Sequence, residues 1–196
     1  MPTAHSLTRL RGPMATSRLF AALSLTLALG STMAAPVLAQ NRSIKDVQVA
    51  DLRTMQDKFV GLAEAFPANT YDWRPMEGVR SVKDVLILIT TEGNRFPTQW
   101  GAPVPMGVNA DRGAEMQRLQ ALSKPELTAE LGRAFDHIIG VVERMDDAIR
   151  IREIRFFGQP VHIDGAILMA AADMHEHLGQ LIAYARMNHI VPPWSR

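Results

Sequence analysis

Apolar residues in this chain recur at intervals of three and four in four separate stretches, and almost nowhere at intervals of two. That period places apolar groups along one face of an α-helix and leaves no alternating strand from which a sheet could grow. The first stretch runs from about Ser43 to Phe66, with Ile44, Val47, Leu52, Met55, Phe59 and Leu62 on its stripe, and Pro67 stops it. The second opens at Ser81, where Asp84 three residues on predicts a capping box. Its Val85, Leu88, Ile89, Glu92 and Phe96 share one face, and Pro97 is expected to end it. The third opens on Ser123-Lys124-Pro125-Glu126, a capping Ser with an early Pro and a Glu three residues on. Its stripe is Leu127, Leu131, Ala134, Ile138, Val141, Met145 and Ile149. The fourth runs from about Ile163 to Asn188, and Pro192-Pro193 cannot continue it. Gly101, Pro103, Pro105 and Gly107 mark a loop after the second helix, with a short helix expected within residues 110–122. Arg152 to Phe157 is the one short strand candidate. The expected fold is all-α, a four-helix bundle with a long loop between helices 2 and 3 that suits a crossover connection.

A segment before the bundle reads differently. Arg9, Arg11 and Arg18 form a positive region without acids, and Leu19 to Gly30 is an apolar run of about the length of a signal-peptide core. Val37 and Ala39 place small or compact residues where a signal peptidase cutting before Gln40 needs them. The rival reading, a retained anchor, meets an apolar run shorter than the roughly 20 residues that span a bilayer. Met14 as the true start would leave the signal intact. The expectation is a signal peptide over 1–39, a bundle domain over 40–196, and an exported protein, periplasmic or secreted.

Removing the signal changes the charge balance. The whole chain carries a formal +1, but without those three arginines 18 basic residues face 20 acidic ones. A near-neutral domain has no basic face for nucleic acid. There is no cysteine, which excludes disulfides, thiolate metal sites and a cysteine nucleophile. No glycine-rich phosphate loop and no GxSxG elbow occurs. At 196 residues the chain suits one domain. No membrane partner is expected beyond the signal segment.

Histidine is the informative residue. His137, His162, His175, His177 and His189 follow the signal, and the fourth helix concentrates two of them in Asp173-Met174-His175-Glu176-His177-Leu178-Gly179-Gln180. Asp173, His177, Gln180 and Tyr184 are spaced four, three and four, so they stack on one face, while His175 points about 200° away. The stretch is not the HExxH helix of metalloproteases, because Gly179 stands where its second His belongs. Asp173 and His177 could supply two metal ligands, and Glu92 on the second helix a third. Such a carboxylate-rich set suits a divalent first-row ion. The alternative is an Asp–His hydrogen bond that orients a partly buried imidazole. His162 reads as a turn residue, His189 as a surface or cap residue, and His137 flanks the third stripe.

Tyr71-Asp72-Trp73-Arg74-Pro75 with Gly78-Val79-Arg80-Ser81-Val82, and His177-Leu178-Gly179-Gln180-Leu181-Ile182 on the fourth helix, resemble the DinB-like family. The tail Tyr184-Ala185-Arg186-Met187 with Val191-Pro192-Pro193-Trp194 is similar to an exported branch of it. The resemblance spans roughly residues 43–196. It implies a four-helix bundle, often a homodimer, with a site of three histidines, one on the second helix and two on the fourth. It also implies relatives that are metal-dependent hydrolase-like proteins or thiol S-transferases. Here His177 keeps the last ligand, Asp173 replaces the one four residues earlier, and Leu88 stands at the second-helix position.

From the residues, the first reading is a degenerate DinB-like bundle that binds a small molecule or a partner without metal catalysis. The alternative is a metal-dependent hydrolase or thiol S-transferase with a remodelled site, in which His177, Asp173 and Glu92 hold zinc, nickel, manganese or iron. A homodimer is the expected assembly, with His175 and Glu176 as a candidate face.

Overall fold

The computed structural model describes residues 42–195. The expected signal segment, residues 1–39, lies outside them. The described chain forms α1 (Ile44–Ala65), α2 (Val82–Gln99), α3 (Arg112–Gln120), α4 (Lys124–Arg144), α5 (Asp147–Arg150), β1 (Glu153–Phe156), β2 (Gln159–His162) and α6 (Ile163–Met187). The four long helices are the four predicted from periodicity. α1 packs on α4 and α6, and α2 packs on the same two, so α1 and α2 take opposite corners although they are consecutive long helices. No helix among the described residues is long and apolar enough to cross a membrane.

Local chemistry sets the helix ends. The Ser43 and Ser81 hydroxyls accept the N–H groups of Asp46 and Asp84, whose carboxylates accept the Ser N–H in return. Glu126 accepts the N–H of Ser123 at 2.8 Å. At the other ends, Lys124 Nζ donates to the carbonyls of Glu64 and Phe66, and Lys83 Nζ to those of Gln120 and Leu122. Each ammonium thus meets carbonyls that a helix end leaves without partners. α6 closes with His189 at φ 59°, its N–H on Arg186 and that of Ile190 on Ala185. That is a Schellman ending, and it gives His189 its cap role.

The core runs through Leu52, Met55, Phe59 and Leu62 of α1 to Phe135 and Ile138 of α4 and Ala170, Met174 and Leu181 of α6. The rings of Phe59 and Phe135 meet with centroids 5.7 Å apart. α2 is buried on nearly every side, because α4, α6 and α3 all cover it. Its Thr90 and Thr91 hydroxyls satisfy themselves on the carbonyls of Leu86 and Ile87, both at 2.8 Å. Gly93 lets α2 come close to α4. A Cβ there would lie 3.0 Å from the Ala134 carbonyl oxygen.

Three sequence expectations need correction. Pro97 does not end α2, which runs to Gln99. In the last turn, proline forfeits only the bond back to Gly93, and its carbonyl still accepts Trp100 N–H at 3.0 Å. Ile44 and Val47 are 66% and 52% exposed, because the buried face of α1 begins at Gln48, which accepts from Arg150 and donates to the Asp164 carbonyl. α4 stops at Arg144, so Ile149 falls in α5 and is partly exposed. The long loop is also firmly built. Glu115 of α3 is fully buried, paired with Arg118 at 2.6 Å, and Arg118 reaches Glu130 of α4 at 3.0 Å. The strand candidate becomes β1 of a hairpin, turned by Phe157 and Gly158 at φ 47° and 78°, the two positive values of a type I′ turn.

Two glycine substitutions should separate close packing from helix propensity. Gly93→Val is expected to lower unfolding free energy in urea by ~1–3 kcal/mol, as overpacking does. Gly179→Ala, where a Cβ meets nothing within 4 Å, should raise it by up to ~1 kcal/mol.

Candidate metal centre

α2 and α6 are neighbours that pack on one another in the bundle. On α6, Asp173 and His177 are one helical turn apart and project together. Glu92 comes from the α2 stripe. One ligand-type atom of each lies within 4.8 Å of the other two, and all three residues are half-buried. Among the described residues this is the one such cluster of three. Glu92 also lines a cavity of about 170 Å³ with Arg95, Phe96, Arg112 and Phe157. The three residues singled out from the sequence are therefore brought together, and one of them, Glu92, borders a hollow.

The electrostatics of Glu92 are unusual. Burial pushes its pKa from 4.5 to about 8, and the charge of the Asp173 carboxylate adds to the rise. Arg112 and Arg80 oppose the rise without cancelling it. At neutral pH, with no cation, Glu92 holds its proton. Its Oε2 is buried and has no hydrogen-bond partner. An orphaned carboxyl oxygen is costly in a packed interior, and a coordinated cation is one way to satisfy it. Two hard oxygen donors and one imidazole form a set that suits a first-row divalent ion.

His177 is held by a relay whose direction is fixed at its far end. Tyr184 Oη donates to the Arg80 carbonyl at 3.0 Å. With its proton so used, the hydroxyl accepts Gln180 Nε2 at 2.7 Å. Gln180 therefore turns Oε1 toward His177 Nδ1, 3.2 Å away, and that nitrogen carries the proton. The lone pair is left on Nε2, the form in which an imidazole binds a metal through that atom. The edge of Trp73 packs on the Tyr184 ring with centroids 5.3 Å apart, which ties the segment before α2 to the relay.

The other histidines stay outside. His175 Nε2 lies 2.9 Å from Asp51 of α1, so the residue offered as part of a dimer face is engaged within its own chain. His137 is half-buried on α4, its Nε2 without a partner, and burial followed by the Arg144 charge lowers its pKa. His162 ends β2. Leu88, at the position where the family resemblance expects an imidazole, is buried and offers no ligand atom. Sequence reasoning placed Gln180 and Tyr184 on the right face but did not connect them to a carbonyl 104 residues away. It missed Arg80 and Arg112 as neighbours of Glu92, since no local pattern joins α3 to this site.

A family model of the DinB superfamily matches residues 51–181. No curated protein matches the chain. Among solved structures, a DinB-like protein from Bacillus subtilis is 18% identical, with 74% of this chain and 93% of that one covered at a TM-score of 0.57. YfiT from Bacillus subtilis, reported as a probable metal-dependent hydrolase with an unusual four-helix bundle topology, is 15% identical, with 75% and 89% covered at 0.57. A variant of a mycothiol-dependent maleylpyruvate isomerase is 12% identical, with 70% of this chain and 60% of that one covered at 0.58. At such identities the likeness shows the fold.

The raised Glu92 pKa predicts a stability slope. Between its ordinary 4.5 and about 8, the folded chain holds a proton that the unfolded chain releases, so stability falls as pH rises through that window. In EDTA, the melting temperature of the parent should drop from pH 5 to pH 8 relative to Glu92→Gln, which has no proton to lose. Parallel curves would contradict the assignment.

Proposed function

The chain belongs to the DinB superfamily, and from that premise we propose that it is an exported, metal-dependent hydrolase-type protein. Glu92, Asp173 and His177 hold one divalent first-row ion, and the substrate is a small molecule. The observation that carries the reading is the convergence of the three side chains, with an unsatisfied carboxyl oxygen buried among them. It shifts the balance from the metal-free binder toward the remodelled site. The missing second-helix imidazole is offset one turn further along α2, where Glu92 supplies a carboxylate instead.

When bound, the ion supplies Lewis acidity and lowers the pKa of a water nucleophile. The chain's own residues do the rest. Gln180, Tyr184 and the Arg80 carbonyl keep His177 in one tautomer and one orientation. Asp173 and Glu92 bring up to two negative charges, which offset those of a divalent cation. The half-buried setting reduces contact with bulk water, which strengthens each electrostatic contact. Export belongs to the same reading and is supported by the basic and apolar pattern of residues 1–39, with the bundle domain over 40–196 as the mature protein.

Elemental analysis of the purified protein tests the centre. One manganese, iron, nickel or zinc per chain is expected in the parent, and none in His177→Ala or Asp173→Asn. Saturating the parent at about 100 times the dissociation constant should add ~2.7 kcal/mol of stability. A parent that stays metal-free after incubation with each ion defeats the proposal. N-terminal sequencing of protein from the periplasmic fraction should begin at Gln40.

A further inference from the structure

A second hollow lies beside the metal centre and has its own chemistry. It measures about 380 Å³ and is lined from α2 by Asp84, Ile87 and Leu88, from α3 by Arg112 and Met116, and from the entry to α2 by Arg80. That volume falls at the small end of the roughly 300–1,000 Å³ of small-molecule sites. Leu88 is one helical turn before Glu92, so the hollow and the carboxyl cluster adjoin along α2.

The charges in it are unevenly committed. Asp84 is spent: it caps α2 on the Ser81 N–H at 2.9 Å and pairs with Arg74 at 3.4 Å. Among the described residues, neither Arg80 nor Arg112 enters an ion pair. Arg112 also lines the smaller hollow that Glu92 borders, and the Arg80 carbonyl accepts from Tyr184 of the His177 relay, so both residues adjoin the metal centre. Two uncommitted, exposed guanidinium groups thus stand over an apolar wall. A guanidinium presents paired donors that match a carboxylate. The apolar wall of Ile87, Leu88 and Met116 adds an affinity for hydrocarbon that a site for inorganic phosphate would not need. With Asp84 close by, the excess of positive charge suits one negative charge rather than two.

We propose that this hollow binds a small organic acid with an apolar body, its carboxylate on Arg80 and Arg112 and its hydrocarbon part against Ile87, Leu88 and Met116. As the substrate class of the neighbouring centre, the proposal rests on the metal reading above. As a carboxylate site it stands without a metal, and the two can fail separately.

Isothermal titration of the EDTA-treated protein with 3-phenylpropanoate, its uncharged amide and the straight-chain acids from butanoate to decanoate tests it. Saturable binding of at least one acid is expected. The amide should bind about tenfold more weakly, the loss that follows when charge-assisted hydrogen bonds are removed. Arg80→Gln and Arg112→Gln should each weaken the acid by a similar factor and leave the amide unchanged. Both side chains are exposed, so melting temperatures should stay near the parent's. Met116→Ser should weaken acid and amide together. Acid binding in a parent that takes up no metal would sink the metal reading and leave this one standing. Equal binding of acid and amide, indifference to both arginine substitutions, displacement by inorganic phosphate at equal concentration, or no saturation with any acid would each overturn the carboxylate site.

Discussion

The approach of α2 to α4 at Gly93 is the contact on which the rest of the structure depends. With no side chain there, α2 sinks until the Ala134 backbone stops it. A helix seated so deeply is covered by α4, α6 and α3 together and keeps almost no wet face. The residue next to this glycine is Glu92. Its removal from water is therefore a result of helix packing rather than of anything in the carboxyl group itself. The proton it retains, its unsatisfied oxygen and its closeness to Asp173 and His177 all follow from the depth of α2.

That depth would be harmful without compensation, since a buried carboxyl with a second carboxylate beside it is unfavourable. The surrounding charges are arranged accordingly. Arg80 and Arg112 lower the cost of ionising Glu92 without forming an ion pair with it. An ion pair would have quenched the carboxylate as a ligand. Charges held at a distance leave its oxygens free while easing the loss of the proton.

Much of the fold was legible because its determinants are local. Caps at Ser81 and Ser123 and the three-and-four spacing of apolar residues place the start of every long helix within a residue or two, while the end of α4 falls five residues short of the predicted stripe. Errors arose where distant partners decide. Ile44 and Val47 fit the stripe of α1, but there the packed face is led by Gln48, through its bonds to Asp164 and Arg150. Pro97 reads as a stop, yet its position in the last turn makes the lost bond cheap. The burial of Glu115 in α3 depends on Arg118 and on Glu130 of another helix, which no local pattern reveals. The opposite-corner placement of α1 and α2 is equally non-local. At the site, Asp173 and His177 were legible as an i, i+4 pair and Glu92 as a member of the α2 stripe. What could not be read was their mutual distance. Leu88 made the missing imidazole look decisive, and only the geometry shows a carboxylate arriving one turn away.

The relay from His177 to the Arg80 carbonyl has a consequence beyond orientation. A carbonyl cannot donate, so it fixes the sense of every hydrogen bond before it, as a diode fixes current. Without the Tyr184 hydroxyl, Gln180 could turn over and His177 could exchange tautomers at nearly equal energy. The residues would remain in place and the fold intact, but the imidazole would become a two-state bit with no preferred reading. One phenolic proton, aimed at a peptide group in the strap before α2, is what makes the ring unambiguous.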